Sequence, residues 1–270
     1  MLVKETHVTD HIMKIYQVHR TMLRRLSISV VKCYHVQTAS YSSHAPKVAV
    51  VLSGSGVYDG SEIHEASSIL VHLTREGAVP QCYAPDILQM HVINHRKGSP
   101  EEKDKRNVLD ESARIARGQV LPLSELSSSV AQAVVFPGGF GAAKNLSDFA
   151  VNGVSCKVHE DVVRVLKDFH KAKKPIGLCC IAPVLAAKVL GNVTITLGRK
   201  DDGKGKWPHA GAIDAACQMG ANVVEKDVNE IAFDDKNLVV TTPAFMYEGR
   251  FHEVYHGIGN MIKKLVELVK

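Results

Sequence analysis

The chain has 270 residues, of which 45% are hydrophobic and 23% are charged. This composition is typical of globular proteins, and no apolar run approaches the ~20 residues that a transmembrane helix needs, so we expect no membrane partner. The formal net charge of +5 is concentrated near the N-terminus, and the remaining chain has too small an excess of positive charge to predict a nucleic-acid surface.

The first 45 residues differ from the rest and are predicted to be a leader. They carry a net charge of +4, and no acidic residue occurs between Met22 and Asp59. Residues 22–32 contain Arg and Ser in an amphipathic pattern, which is typical of mitochondrial transit peptides. We therefore expect a transit peptide over residues 1–45, cleaved near residues 40–46, and delivery to the mitochondrial matrix. A disordered basic leader is the alternative, and Met22 is an alternative start.

From residue 46 onwards, apolar runs typical of buried strands alternate with amphipathic helical patterns. The predicted strands cover residues 47–53, 79–84, 119–123, 131–136, 175–179, 193–197, 231–233 and 238–241. The predicted helices cover residues 61–77, 107–117, 161–173, 181–190 and 212–219, and a last one begins near residue 251. This alternation predicts one α/β domain over residues 46–270, with a mostly parallel sheet covered on both faces.

The apolar spacing also predicts which helix faces turn inward. Ile63, Ala66, Leu70 and Leu73 are expected to form the inner stripe of the first helix. The inner stripe of the last helix is expected to begin at Phe251.

A glycine-rich loop over residues 54–60 follows the first predicted strand. Its spacing, G-x-G-x-x-x-G, is one residue longer than the dinucleotide-binding fingerprint. We therefore expect no nicotinamide cofactor.

Cys180 is the first candidate for chemistry, because it falls where a buried strand must turn into a helix. Pro183 lies in the first turn of that helix, where a missing N–H is tolerated. The free N–H groups of a helix start favour a thiolate, and this arrangement is typical of a nucleophile elbow. Alternatively, Cys180 is a small core residue. Cys179, one residue back on the strand, is expected to point to the opposite face and to pack there.

Two other segments are candidates to assist that cysteine. Glu62 and Glu65 lie three residues apart in the first turn of a predicted helix, although such carboxylates often serve only the helix dipole. Gly138 and Gly139 follow the strand at 131–136, and an adjacent glycine pair before a helix start is suited to stabilising an oxyanion. A plain turn is the alternative.

The remaining cysteines and histidines do not suggest a metal site. The six cysteines are scattered without a CxxC pair, so we expect free thiols and no zinc ribbon. His91 and His95 lie four residues apart but lack a third ligand, and we interpret them as surface residues.

Four segments occur together in an order that resembles a known family. They cover residues 53–66, 137–146, 180–183 and 240–244. The chain is similar to the ThiJ/PfpI superfamily of class I glutamine amidotransferase-like proteins. Within it, the chain resembles the ElbB-like branch, whose bacterial members are described as glyoxalases and which has vertebrate mitochondrial members. The resemblance covers the chain from about residue 47 and implies a flavodoxin-like three-layer sandwich.

The resemblance also implies roles for particular residues. It implies that Cys180 is the elbow thiol and that a glutamate of the first helix hydrogen-bonds it, with Glu65 the better match and Glu62 the second. It implies that Gly138, Gly139 and the Ile181 N–H line an oxyanion site. It further implies a homodimer that uses no metal and no cofactor.

Two departures from the family patterns narrow the expected activity. Glutamine amidotransferases complete their site with a His and a Glu near the C-terminus, but residues 241–248 contain no His-x-Glu. The protease-like members place a His directly after the cysteine, where this chain has Ile181. We therefore expect neither glutamine hydrolysis nor peptidase activity. His64 and His209 remain candidates for a base.

Three functions are compatible with these residues. The first is glyoxalase or deglycase chemistry on 2-oxoaldehydes or their adducts, with a small aldehyde or glycated substrate bound by Cys180. The second is a non-enzymatic redox-sensing or protein-quality module, in which Cys180 oxidises to a sulfinate held by Glu65. The third is an interaction scaffold with an idle site.

Overall fold

The computed structural model describes residues 45–200 and 203–269. Nearly all of the predicted leader, including Cys33, lies outside the described residues, so the leader and the domain boundary at residue 46 stay predictions. Within the described part of the chain, no helix is both long and apolar enough to cross a membrane.

Strands and helices alternate along the chain, as the sequence predicts. The strands are β1 (Lys47–Val51), β2 (Val79–Ala84), β3 (Ile93–Asn94), β4 (Ser99–Pro100), β5 (Val120–Pro122), β6 (Ala133–Phe136), β7 (Ile176–Cys179), β8 (Thr194–Ile195), β9 (Asn222–Val223), β10 (Ala232–Asp234) and β11 (Val239–Thr242). The α-helices are α1 (Ile63–Arg75), α2 (Val108–Ile115), α3 (Phe140–Lys144), α4 (Phe149–Asn152), α5 (Glu160–Lys171), α6 (Pro183–Leu190), α7 (Gly211–Gln218) and α8 (Phe251–Glu267).

Seven of these strands form one sheet in the order β10-β11-β7-β6-β1-β2-β5. All neighbouring pairs are parallel except β10 and β11, which form the predicted antiparallel hairpin. Every residue of β6, β7 and β11 is buried. Because successive side chains of a strand point to opposite faces, both faces of the sheet are covered. The predicted α/β class with a mostly parallel sheet is confirmed.

The strand order identifies one edge of the sheet as the place for a site. The chain runs from β1 outwards to β2 and β5, and then crosses to the other side of β1 to form β6 and β7. In open parallel sheets, ligands bind at the carboxyl ends of the strands where the order reverses. The loops after β1, β6 and β7 all lie at this edge, and they carry the predicted site residues.

The structure corrects two predicted helix faces. Ile63 is 45% exposed and Phe251 is 63% exposed, so neither belongs to an inner stripe. The buried residues of α1 include Glu65, Ala66 and Leu73. Ala66 and Leu73 of the predicted stripe are confirmed, whereas at the start of α1 the buried residue is Glu65 and not Ile63.

The sequence analysis missed three short strands, β3, β4 and β9, which form two small sheets: β3 pairs with β4, and β9 pairs with β8, which lies within the predicted strand at 193–197. Each of these strands has two residues. An alternation of apolar and polar residues cannot be recognised over so short a run.

Candidate active site

The site is built around the corner between β7 and α6. Cys180 follows the last residue of β7 and has φ = 57°, in the left-handed region that costs a non-glycine residue about 1–2 kcal/mol. Its N–H still donates to the Thr242 carbonyl at 3.2 Å, so β11 holds the corner in place. The Cys180 side chain is 8% exposed and lines a cavity. The corner therefore has the strained turn from strand to helix that the sequence predicts.

Glu65 lies against this cysteine. It is fully buried in the first turn of α1, and its carboxyl group lies beside the Cys180 side chain, since a Cβ at Gly138 would be 2.7 Å from Glu65 Oε2 and 2.9 Å from Cys180 Sγ. Two backbone N–H groups also donate to it, from Gly138 to Oε2 at 2.8 Å and from Phe245 to Oε1 at 3.2 Å. Each carboxyl oxygen is thus fixed by a different loop, which holds Glu65 at the sulfur.

Glu62, the second candidate, has a different structural role. It is the N-cap of α1, and its Oε2 accepts the Glu65 N–H at 2.7 Å. Its Oε1 lies 2.8 Å from His64 Nδ1. Both oxygens are therefore engaged in capping and in the histidine contact, although the residue also borders the cavity.

Cys179 does not lie where the sequence analysis placed it. Its Sγ–H donates to Glu65 Oε2 over 3.7 Å, and the residue is fully buried. The prediction that it points away from the site assumed regular strand alternation through Cys180. The left-handed backbone at Cys180 breaks that alternation, and both thiols contact the same carboxyl group.

The three predicted oxyanion donors divide into two groups. The Gly138 N–H donates to Glu65 Oε2, so it is engaged within the protein here, and its role at an oxyanion stays a prediction. The N–H groups of Gly139 and Ile181 face the Cys180 sulfur instead. Gly139 has φ = 90°, which only glycine adopts readily, and this conformation aims its N–H at the site.

The electrostatics of the site favour neutral side chains. Burial, reinforced by the nearby charge of Glu62, raises the pKa of the Glu65 carboxyl from 4.5 to about 8. Burial and the Glu65 carboxyl also raise the pKa of the Cys180 thiol well above its usual value, although the N–H groups of Gly139 and Ile181 act in the opposite direction. This direction favours the neutral thiol over the predicted thiolate, because desolvation opposes the effect of the helix start.

The sulfur opens into a cavity of about 490 Å³. Its walls come from α3, α4 and α7 and from the turn after β11. Most of the lining side chains are apolar: Val57, Phe140, Ala143, Phe149, Ala150, Ile181, Pro208, Ala212, Ala215, Phe245 and Met246. The sequence analysis found the thiol but not these walls, since the lining residues come from segments that are far apart in the chain.

Neither candidate histidine is hydrogen-bonded to the cysteine among the described residues. His64 is bound to Glu62 and packs against the ring of Phe251, with ring centroids 4.5 Å apart. His209 lines the cavity and is exposed. The predicted surface position of His91 and His95 is confirmed, because both are exposed. Within the described ranges, no three His, Cys, Asp or Glu side chains are grouped as metal ligands would be.

Phe245 is the site residue that the sequence analysis missed. Its N–H reaches Glu65 because the preceding Ala244 adopts φ = 46° in the turn after β11. The family-like segment at 240–244 ends one residue before it, and this was the available signal. Amidotransferases have a histidine in this region, whereas here a backbone N–H holds the glutamate.

Comparisons with known proteins agree with this geometry. No family model matches the chain. It is 60% identical over 224 residues to human glutamine amidotransferase-like class 1 domain-containing protein 3, mitochondrial, covering 83% of this chain and 84% of that protein. It is 59% identical over 236 residues to the rat ES1 protein homolog, mitochondrial, covering 86% and 89% of the two chains.

A solved structure extends the likeness to the fold. The isoprenoid biosynthesis protein with amidotransferase-like domain from Ehrlichia chaffeensis superposes with a TM-score of 0.75 and 33% identity, covering 84% of this chain and 100% of that one. The chain therefore belongs to the ThiJ/PfpI superfamily, in the family of the ES1 proteins and glutamine amidotransferase-like class 1 domain-containing protein 3.

Proposed function

We propose that the protein is a mitochondrial, cofactor-independent enzyme with glyoxalase or deglycase activity on 2-oxoaldehydes or their adducts. The observation that carries this proposal is the Cys180 thiol, which lies beside the buried Glu65 carboxyl and opens into a cavity. The mitochondrial names of the relatives support the location, and we place the protein in the matrix as a homodimer.

The first step is addition of the thiol to the aldehyde carbon. The Cys180 sulfur forms a bond to that carbon, while the thiol proton passes through Glu65 to the carbonyl oxygen, giving a hemithioacetal. Because the N–H groups of Gly139 and Ile181 face the sulfur, they are the donors available to the oxygen on the attached carbon. With an adduct as substrate, the C–S bond replaces the C–N bond, and the amine leaves with the thiol proton.

The second step moves a hydrogen between neighbouring carbons. Glu65 in its carboxylate form removes the proton from the carbon bound to sulfur, and an enediol forms. Glu65 then returns the proton to the adjacent carbon, which is reduced while the first carbon is oxidised to a thioester. Water hydrolyses the thioester, releasing a 2-hydroxy acid and restoring the thiol. A carboxyl with a pKa of about 8 is suited to both giving and taking this proton near neutral pH.

The redox-sensing alternative uses the same residues but is less favoured. Two equivalents of peroxide would oxidise the Cys180 thiol to a sulfinate and form two waters, and a neutral Glu65 would donate a hydrogen bond to the product. Peroxide reacts with the thiolate, however, and the pKa of the Cys180 thiol is raised. In the glyoxalase reaction Glu65 accepts the thiol proton as the C–S bond forms, so a standing thiolate is not required.

Lactate formation from methylglyoxal by the purified full chain tests the proposal. We expect turnover by the wild type and a loss of about 10³-fold or more in Cys180→Ser. Cys217→Ser is the matched control, because Cys217 is an exposed free cysteine.

Equal turnover by Cys180→Ser would refute the enzymatic proposal. Absence of turnover combined with selective oxidation of Cys180 by mild peroxide, measured by mass spectrometry, would favour the redox module. Absence of both turnover and selective oxidation would favour the interaction scaffold with an idle site.

A further inference from the structure

We propose that the preferred substrates are 2-oxoaldehydes that carry an apolar chain or ring, rather than the three-carbon aldehyde itself. This inference rests on the proposed function, because it takes Cys180 as the group that bonds to the aldehyde carbon. It is argued from the size and the lining of the cavity.

The cavity is too large for a three-carbon substrate. Its volume of about 490 Å³ falls within the range of roughly 300–1,000 Å³ found for pockets that enclose drug-sized ligands. With the aldehyde carbon at Cys180, methylglyoxal would leave most of this space to water. A substrate with a longer chain or a ring would displace that water and contact the walls.

The walls are suited to hydrocarbon. Phe140 and Ala143 come from α3, and Ala212 and Ala215 come from α7. The alanines leave room because their side chains are small, and the phenyl ring offers apolar contact. Burial of each additional methylene of a substrate is worth about 0.8 kcal/mol, or about fourfold in affinity.

The polar groups near the cavity do not contradict an apolar ligand. The Glu62 carboxylate is engaged by the Glu65 N–H and by His64. The Glu65 carboxyl accepts hydrogen bonds from the Cys179 thiol and from two backbone N–H groups. These acids therefore keep their partners when hydrocarbon replaces water beside them.

Kinetics with two aldehydes test the preference. We expect kcat/KM for 2-oxooctanal to exceed that for methylglyoxal by about 10³-fold, because five methylenes become buried and each is worth about fourfold. Ala215→Phe fills part of the cavity, and we expect it to lower kcat/KM at least tenfold more for 2-oxooctanal than for methylglyoxal. Ala150→Phe is a second filling variant on an exposed position of α4, where a larger side chain is tolerated by the fold.

Cys217→Phe is the matched control, since it adds the same ring to the exposed face of the same helix, α7, outside the cavity. We expect it to keep both activities. Equal kcat/KM for the two aldehydes in the wild type, or equal losses in Ala215→Phe and Cys217→Phe, would overturn the inference.

Calorimetry separates this inference from the proposed function. Octan-2-one lacks an aldehyde, and its binding to Cys180→Ser requires no chemistry. We expect binding with a negative heat-capacity change, weakened at least tenfold by adding Ala215→Phe. If neither aldehyde is turned over but octan-2-one binds in this manner, the proposed function fails and the apolar ligand class is supported. If methylglyoxal is turned over and octan-2-one does not bind, the ligand class is refuted and the function stands.

Discussion

Two loops at the same edge of the sheet differ in what their polar groups contact. The loop after β1, residues 53–61, is rich in glycine, and its polar groups are engaged within the protein. The N–H of Ser53 donates to Ser61 Oγ and the N–H of Gly54 donates to Ser112 Oγ, both at 2.9 Å. Asn145 Nδ2 donates to the carbonyls of Ser53 and Asp59 at 2.9 and 2.8 Å. These polar groups of the loop are therefore satisfied by hydrogen bonds within the protein.

The corner after β7 contains no glycine, yet it opens into the cavity. Its Ile181 N–H and the neighbouring Gly139 N–H face the Cys180 sulfur, and the sulfur lines the cavity wall. The comparison teaches that glycine content alone does not identify a site. A site requires donors that face a reactive atom, and it requires space beside that atom.

The largest expected effect concerns the pH dependence of stability at the corner. A carboxyl whose pKa rises from 4.5 in the unfolded chain to about 8 in the folded one binds its proton more tightly when folded. Its stabilising contribution is therefore complete below about pH 4.5 and is lost as the pH rises to about 8, by up to about 5 kcal/mol. Glu65→Gln cannot titrate. The free energy of unfolding of the wild type minus that of the variant should therefore fall as the pH rises through this window.

Urea unfolding of both proteins at pH 5, 6, 7 and 8 measures this difference. All other titrating side chains are present in both proteins. A difference that stays constant with pH would show that Glu65 is ionised in the folded protein.

The second effect comes from crowding at the corner. A Cβ at Gly138 would lie 2.4 Å from Cys180 Cβ and 2.7 Å from Glu65 Oε2. Gly138→Ala should therefore displace the thiol from the carboxyl group and lower kcat/KM about 10²-fold. At Gly60 in the β1 loop, a Cβ would instead meet the backbone, at 2.3 Å from the Ser55 nitrogen.

Gly60→Ala should accordingly lower the free energy of unfolding rather than the activity of the folded fraction. Thermal unfolding and kinetics on both variants check the contrast. The opposite pattern, in which Gly138→Ala is inactive only because it is unfolded, would contradict this distinction between the two loops.

The third effect is a loss of stability in the β1 loop when its partner Asn145 is replaced. Asn145 holds three buried or partly buried backbone groups, since its Oδ1 also accepts the Met90 N–H at 2.9 Å. Asn145→Ala leaves them without this partner and should lower the free energy of unfolding by about 2 kcal/mol. We expect kcat/KM to stay near the wild-type value. A large loss of activity with unchanged stability would show that the β1 loop takes part in the reaction.

The smallest effect distinguishes the role of Glu62 from that of Glu65. Glu62 caps α1, and its replacement by alanine should cost about 1 kcal/mol of stability, the usual value for an N-cap. We expect kcat/KM to fall far less than in Glu65→Gln, which alters the group at the sulfur. Equal losses in the two variants would mean that Glu62 shares the proton transfer.

Much of the fold could be predicted from the sequence because its signals are local. The strand over residues 79–84 and the hairpin near the C-terminus follow from apolar runs and turn residues. Ile63 and Phe251 were placed wrongly, because each is the first residue of its helix and apolar spacing does not show which side chains of a first turn are covered.

The sequence by itself determined that a cysteine would stand at a corner from strand to helix, since a buried run, a turn and Pro183 are encoded next to one another. Only the tertiary structure decided which groups meet there. Glu65, Gly138 and Phe245 are far apart in the chain, and their contacts depend on the order of β1, β6, β7 and β11 in the sheet. The hydrogen bonds that Glu65 accepts from the Cys179 thiol and from the Gly138 N–H also join distant segments. They form because the order of the strands brings these segments together.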